Sequence, residues 1–348
     1  MTTRPVLSPP GSTTMQLIAT ASAAPPPPHT MQCLEVWGGN GATDNGVTMP
    51  GIDAWVLSRP HKGDEAGGDV HYVSSCGTGR ISRILVADVA GHGSNVAELG
   101  RTLRSLMRRY MNYIDQTRLV EQMNAEFTAA STMGRFATAV VASFFAPTNT
   151  FTVVNAGHPR PLAFSSKKGT WQILEVAKPA AADERGKAPS FASGNLPLGI
   201  DDVARYEQFA LRLRQGDLVV IYTDSLVEAR RPDGTMLGEE GLLVIARAID
   251  QTQPDQFAPR LYQAVIDASG GELPDDDVTV LVIRPNGLQP KMSFAESLRA
   301  QFTFLGMLAR GVLPGALPVP WPEARIETLL GPLVKGVQKS WGKDAREL

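Results

Sequence analysis

The sequence has little cysteine, no excess of charge of either sign and no long uninterrupted apolar run. Its 348 residues include two cysteines, Cys33 and Cys76, which are too few for a disulfide framework, and it has no Cys-x-x-Cys motif. Lys plus Arg number 33 and Asp plus Glu 35, so the formal net charge of −2 lacks the basic excess of a typical nucleic-acid-binding protein. No segment approaches the ~18–20 uncharged apolar residues that span a bilayer. We therefore expect no nucleic-acid partner, no transmembrane segment and a cytoplasmic location.

The hydrophobic fraction of 43% can support a core and excludes a wholly disordered chain. The composition divides the chain into three parts. Residues 1–31, which end in a proline run, are predicted to be a disordered leader. Residues 32–287 are predicted to form the main domain, and residues 288–348 an amphipathic helical extension.

Two apolar stripes define the C-terminal extension. The first is Phe294, Leu298, Phe302, Leu305 and Leu308, and the second is Ile326, Leu329, Leu330, Leu333, Val337 and Trp341. Prolines between residues 314 and 322 separate the two stripes. Four roles are open for them: packing on the main domain, self-association, docking of a partner and contact with a membrane surface.

The central segment alternates strand-like apolar runs with helical patterns. Runs rich in Val, Ile and Phe predict strands at Ile81–Ala87, Ala137–Phe145, Phe151–Asn155, Leu162–Phe164, Trp171–Val176, Asp217–Tyr222 and Val278–Ile283. Helices are predicted at Asn95–Tyr113, Thr117–Ala130, Glu239–Ala248 and Pro254–Ser269. Turn-forming residues between consecutive strands favour antiparallel hairpins. Strands in hairpins with helices in pairs predict an α+β fold rather than a doubly wound parallel sheet.

Acidic residues stand at the margins of several of these strands. Asp88 directly follows Ile84–Ala87, Asp224 follows Leu218–Thr223, and the run Asp275–Asp277 precedes a core strand. Asp69 follows two glycines at the start of another extended segment. Each aspartate alone is consistent with a turn former or a helix cap. Brought together they would repel one another unless cations neutralised them, and an all-oxygen set selects Mg²⁺, Mn²⁺ or Ca²⁺ over zinc.

Seven short motifs occur in a defined order along the chain. They are Glu65-Ala-Gly-Gly-Asp69, Asp88-Val-Ala-Gly-His-Gly93, Phe136-Ala-Thr138, Asn155-Ala-Gly-His-Pro159, Leu196-Pro-Leu-Gly199, Tyr222-Thr-Asp224 and Asp276-Asp-Val-Thr279. Together they resemble the PPM metal-dependent serine/threonine protein phosphatases, in their bacterial SpoIIE-like (RsbU-type) branch. The resemblance covers about Gly51 to Arg284. It implies two antiparallel sheets packed as a sandwich, flanked by helix pairs in α-β-β-α layers, with a two-metal site at one edge.

The resemblance also implies a ligand set for two Mn²⁺ or Mg²⁺ ions. Asp88 matches the aspartate that bridges both ions, and the Val89 carbonyl and Asp69 match ligands of one of them. Asp224 and Asp276 match the ligands of the other ion. Asp277 occupies the neighbouring acidic position, and motif register favours Asp276 over it.

Asp88 and Asp69 are thus the candidate catalytic carboxylates, together with His92 as a candidate proton donor to the leaving oxygen. The alternative for His92 is an imidazole that points elsewhere, because an extra residue separates the aspartate from the Gly-His pair in this branch.

Three features depart from the family pattern. Ser225 replaces the glycine that usually follows Asp224, which would be strained if that position needed a positive φ. Val70-His71-Tyr72 follows Asp69 in place of an aromatic-Tyr-Asp sequence. No recognisable sensor domain precedes the phosphatase-like region. The first two departures touch the site and leave reduced activity open.

The function implied by the resemblance is hydrolysis of phosphoserine and phosphothreonine in a phosphorylated protein, by a metal-activated water, in a partner-switching pathway. By analogy the substrate is a STAS-type anti-sigma-factor antagonist. The alternatives are an inactive pseudophosphatase that binds phosphoproteins and, less favoured, a hydrolase of small phosphate esters. The helices Asn95–Tyr113 and Thr117–Ala130 are implied to act as a switch, and these helices or the C-terminal helices are candidate contacts for a homodimer or a partner.

Overall fold

The computed structural model describes residues 28–31, 35–76, 79–91, 94–110, 113, 115–131, 134–175, 196–271, 276–289 and 345–348. Most of the leader, His92 and both stripes of the C-terminal extension lie outside these residues, so the three-part division of the chain stays a prediction. Within the described residues no helix is long and apolar enough to cross a bilayer.

The described residues contain strands and helices in the following order. The strands are β1 (His29–Thr30), β2 (Val36–Gly39), β3 (Thr43–Met49), β4 (Ile52–Arg59), β5 (Val70–Ser75), β6 (Ile81–Val89), β7 (Ala137–Phe145), β8 (Thr150–Ala156), β9 (Leu162–Ser165), β10 (Thr170–Ile173), β11 (Gln208–Arg212), β12 (Leu218–Tyr222), β13 (Val278–Pro285) and β14 (Arg346–Glu347). The helices are α1 (Ser94–Tyr110), α2 (Gln116–Ala130), α3 (Ser225–Glu228), α4 (Gly238–Ala248) and α5 (Pro254–Ala268).

The strands of the described segments form two sheets that pack face to face. Sheet A has the order β1-β3-β4-β13-β12-β9-β10, and sheet B has the order β14-β11-β8-β7-β6-β5-β2. Residues of both sheets share one buried core, in which Ile84 and Val86 of β6 lie with Ile283 of β13. Since side chains alternate along a strand, Leu85 and Ala87 face the other way and pack against α1 and α2.

The outer face of sheet A is covered in the same manner by α4 and α5. Val220 of β12 and Val280 of β13 pack there against Leu242 of α4 and against Phe257 and Leu261 of α5. Helix pairs therefore flank both sides of the sandwich, which confirms the α+β fold. The hairpins β7–β8 and β9–β10 are antiparallel, as predicted.

Several strands have no strong signal in the sequence. β3 reads Thr-Asp-Asn-Gly-Val-Thr-Met, in which only the second half is apolar, because its first half lies near the sheet surface. β2 ends in two glycines, and a side chain at Gly38 would collide with the backbone of β5. Parallel pairing occurs at the two-residue strands β1 and β14, which pair with β3 and β11. Such short strands carry no periodicity from which their partners could be predicted.

The strand β14 closes the outer edge of sheet B beside β11. Leu348, which follows it, is 4% exposed and lies in the core between the sheets. The Ser165 hydroxyl of β9 donates to the Leu348 carbonyl at 3.2 Å, and Arg214 pairs with Glu347 at 2.5 Å. Residues 346–348 are therefore fastened to both sheets.

Replacing Leu348 with Ala should destabilise the protein by about 2–4 kcal/mol, because it leaves a cavity between the sheets. Thermal unfolding of the full chain measures this. Leu288→Ala is the control, since Leu288 is 52% exposed and its truncation should change the melting temperature little. Equal melting temperatures for the two variants would show that residues 346–348 are not docked in solution.

Candidate metal centre

The two sheets bring their acidic strand ends to one end of the sandwich. In sheet B, Val70 pairs with Ala87, which places Asp69 beside Asp88. In sheet A, Tyr222 pairs with Val280, so the residues after β12 and those before β13 extend beyond the same end. These residues are Thr223, Asp224, Asp276 and Asp277.

Direct hydrogen bonds join the two sheets at this end. The Thr223 hydroxyl of sheet A donates to Asp69 Oδ2 at 2.8 Å, and both side chains are buried. Thr223 Oγ1 in turn accepts from the Thr279 amide at 2.9 Å. The carboxylate of Asp69 is therefore oriented by a threonine that stands next to Asp224.

The electrostatics of Asp88 record how closely the carboxylates approach one another. Burial raises the pKa of Asp88 to about 7, and the negative charges of Asp224, Asp276, Asp277 and Glu228 add to the increase. Asp88 belongs to sheet B, whereas the four neighbouring acids belong to segments beside sheet A. Asp88 in turn raises the pKa of Asp69, so its carboxylate interacts with acids beside both sheets.

The same causes act on Asp224, which is partly buried, and on Asp69, which is buried. Burial raises the pKa of Asp224 to about 6, with further contributions from Glu228 and Asp276. Burial also raises the pKa of Asp69 well above its ordinary value; Asp88 and Asp277 add to this, while the Thr223 hydrogen bond opposes it. A group of carboxylates that disfavour one another's ionisation is an arrangement that a bound cation would stabilise.

The donor atoms of this end fit hard divalent cations. They are carboxylate oxygens together with the carbonyl oxygen of Val89. This carbonyl lies so close to Gly68 that a side chain at position 68 would contact it. Among the described residues, no three His, Cys, Asp or Glu side chains already form a closed metal cage. The carboxylates are near enough to raise one another's pKa, but no three of these described side chains surround a single position. Mg²⁺ or Mn²⁺ would suit this all-oxygen set.

The two adjacent aspartates before β13 have different surroundings. Asp276 is exposed, and its Oδ1 accepts from the Asp277 amide at 2.8 Å. Asp277 is 6% exposed, and its carboxylate accepts backbone N–H groups from the segment before β5. Asp276 is therefore the more available ligand, in agreement with the motif register.

The strain expected at Ser225 is absent. Ser225 is the first residue of α3, and among the described residues only Lys62 and Asn149 combine a side chain with a positive φ. Its hydroxyl instead donates to the carbonyl of Asp277. The condition for strain is not met, because the chain after Asp224 continues directly into a helix and position 225 does not need a positive φ.

The histidines near the motifs are held away from the acids or fall outside the described residues. His92 lies outside them, so its role as a proton donor stays a prediction. His158 is buried, which lowers its pKa to about 3, and its Nδ1 lies 2.8 Å from the Thr138 hydroxyl. His71 is also buried, with its pKa lowered to about 4 and its ring 5.5 Å from that of Trp37. These environments indicate structural roles for His71 and His158.

Sequence analysis did not single out Glu228. This exposed residue raises the pKa of both Asp88 and Asp224, so it faces the acidic group. The available signal was its spacing: Glu228 follows Asp224 by four residues, which is one helical turn, and α3 begins between them.

Comparison with known proteins agrees with the fold described above. Residues 79–286 match the family described as Stage II sporulation protein E (SpoIIE). The phosphoserine phosphatase RsbU of Bacillus subtilis (strain 168) is 25% identical over 245 residues, which are 67% of this chain and 63% of that protein. The chain therefore spans less than two thirds of the length of this relative.

Two solved structures share the fold. The RsbU and RsbW domains of Rv1364c from Mycobacterium tuberculosis superpose with a TM-score of 0.55 at 22% identity, covering 77% of this chain and 72% of that one. The PP2C phosphatase domain of SpoIIE from Bacillus subtilis, solved with a fragment of its regulatory domain, gives 0.53 at 16% identity, covering 73% and 64%. Because the family match extends over more than half of the chain and includes the strand ends that carry Asp88, Asp224 and Asp276, this chain belongs to the SpoIIE family and has the PP2C phosphatase fold.

Proposed function

We propose that this chain is a Mn²⁺- or Mg²⁺-dependent protein phosphatase that hydrolyses phosphoserine and phosphothreonine. Two ions would be held by Asp69, Asp88, Val89, Asp224 and Asp276. The observation that carries the proposal is the meeting of acidic segments from both sheets, where the Thr223 hydroxyl donates to Asp69 at 2.8 Å. Burial and four acids beside sheet A raise the pKa of Asp88 at the same place. Bound cations would neutralise this mutual repulsion.

The chain's own residues would divide the work as follows. Bound ions would activate a water for attack on phosphorus and neutralise charge on the phosphoryl oxygens. Asp88 would be a ligand common to both ions, because its carboxylate interacts with Asp69 on one side and with Asp224 on the other. Thr223 would keep Asp69 in one orientation through its 2.8 Å hydrogen bond. His92, four residues after Asp88, is the candidate that would protonate the leaving seryl or threonyl oxygen.

The substrate class is proposed from the relatives. The printed name of RsbU is phosphoserine phosphatase, and by analogy this chain would act in the cytoplasm on a phosphorylated STAS-type protein of a partner-switching pathway.

The pair α1 and α2 would contact a partner or a second copy. Arg83, which is buried on β6, donates to the Gln116 side chain at the start of α2 and to the Tyr113 carbonyl, so it links that strand to the helix pair.

Hydrolysis of phosphopeptides tests the proposal. Phosphoserine and phosphothreonine peptides should release phosphate in the presence of Mn²⁺, and excess chelator should reduce the rate to background, because the proposed nucleophile is a water that the bound ions activate. Added Mn²⁺ should restore the rate. Binding of phosphopeptide without turnover at any metal concentration would favour the pseudophosphatase, and preference for small phosphate esters over phosphopeptides would favour a metabolite hydrolase.

A further inference from the structure

Asp277 is buried beside the metal centre, and its carboxylate accepts hydrogen bonds from backbone N–H groups. Oδ1 accepts from the His61 amide at 2.6 Å, and Oδ2 accepts from the amides of Gly68 at 2.5 Å and Asp69 at 3.3 Å. A carboxylate has about four acceptor positions, of which these bonds occupy three. Asp277 thus holds the segment that delivers Asp69 to the site.

The segment is shaped to lie directly on this carboxylate. A side chain at Gly67 would collide with both oxygens of Asp277. From the other side, Asn40 fixes the same glycine, since its carbonyl accepts from the Gly67 amide at 2.7 Å and its side chain donates to the Gly67 carbonyl at 3.0 Å. The chain before Asp69 is therefore clamped between Asn40 and Asp277.

Asp277 is also tied to the other side of the site. Its main-chain carbonyl accepts a hydrogen bond from the Ser225 hydroxyl, and both groups are buried. Ser225 directly follows Asp224, so one residue is connected through its carboxylate to the Asp69 side and through its backbone to the Asp224 side.

We propose that Asp277 is a positioning residue that sets the spacing between the Asp69 side and the Asp224 side of the metal centre, with Ser225 as its second anchor. The inference rests on the proposed function, since it assigns Asp277 a role in that same site. An asparagine could not make all three bonds, because in either orientation its amide nitrogen, which only donates, faces at least one of these backbone N–H groups. Serine at position 225 supplies a hydroxyl that the glycine usual in the family lacks.

Asp277→Asn tests this role, with Mn²⁺ binding to the full chain measured by titration calorimetry. Substitution of a residue that orients metal ligands typically weakens metal binding by 10- to 100-fold. The variant should therefore bind Mn²⁺ about 10- to 100-fold more weakly than the wild type. The number of ions per chain should stay that of the wild type. Ser225→Ala removes a single hydrogen bond and should weaken binding by about 3- to 10-fold.

Asp53→Asn is the matched control. Asp53 is a buried carboxylate at the opposite end of β13, where it pairs with Arg284 at 2.9 Å and Asn286 at 2.9 Å. This variant should lose stability and keep the Mn²⁺ affinity of the wild type. If Asp277→Asn does not fold, Ser225→Ala decides the matter alone.

Two results would overturn the inference while leaving the proposed function intact. One is wild-type Mn²⁺ affinity in both Asp277→Asn and Ser225→Ala. The other is the loss of one ion per chain in Asp277→Asn, which would make Asp277 itself a ligand. Failure of the wild-type chain to bind Mn²⁺ would instead contradict the proposed function, and the inference with it.

Discussion

Replacing Asp88 with Asn should reduce Mn²⁺-dependent hydrolysis of a phosphoserine peptide by at least about 1,000-fold, which corresponds to about 4 kcal/mol of transition-state stabilisation. The expected loss is large because the carboxylate of Asp88 interacts with Asp69 on one side of the centre and with Asp224 on the other. An amide of the same size supplies one neutral oxygen and no negative charge, so it cannot bind two cations. Steady-state rates over a range of Mn²⁺ concentrations provide the measurement.

The control is again Asp53→Asn, which removes a buried carboxylate far from the acidic group and should leave kcat close to that of the wild type. An Asp88→Asn protein that retains a tenth of wild-type activity at saturating Mn²⁺ would contradict the assignment of Asp88 as the bridging ligand. Recovery of the rate at very high Mn²⁺ would indicate that Asp88 contributes affinity alone.

The same substitution should stabilise the metal-free protein at pH 8. The folded-state pKa of Asp88 is raised from 3.8 to about 7, so folding disfavours its ionised form. The destabilisation is absent below about pH 4, grows as the pH rises through the window between the two pKa values and is complete above pH 7. Each pKa unit corresponds to 1.36 kcal/mol, so removing the charge should stabilise the protein by about 4 kcal/mol.

Thermal unfolding in chelator measures this effect. At pH 8 the melting temperature of Asp88→Asn should exceed that of the wild type by about 5 °C or more, and the difference should shrink towards pH 5. Added Mn²⁺ should raise the melting temperature of the wild type more than that of the variant, because only the wild type has the full ligand set. A variant that is less stable than the wild type at both pH values would contradict the repulsion inferred for this site.

The order of acidic strand ends was the part of the site that the sequence could predict. Runs such as Ile84–Ala87 and Leu218–Tyr222 are apolar on both faces, because each sheet is covered on both sides, and this made the strands and the aspartates at their ends recognisable. The resemblance to a known family then assigned a role to each aspartate. In the structure those aspartates lie close enough to raise one another's pKa, while their roles as ligands stay predictions.

Features that depend on long-range contacts could not be predicted. Asp277 was set aside as the neighbour of Asp276, because nothing in the sequence indicates that its carboxylate meets amides more than 200 positions earlier. The strain at Ser225 depended on the sign of its φ, which the sequence does not give; the chain begins α3 there, so φ is negative. The two-residue strand β14 is too short for any pattern, and its position depends on Leu348 entering the core.

Crystals soaked in Mn²⁺ and measured at the manganese absorption edge test the central claim most directly. The account predicts two anomalous peaks between the sheet ends, with carboxylate oxygens of Asp88 within about 2.0–2.5 Å of both. Asp69 and the Val89 carbonyl should ligate one ion, and Asp224 and Asp276 the other. Peaks elsewhere on the surface, or none at saturating Mn²⁺, would contradict the claim that these carboxylates converge to bind metal.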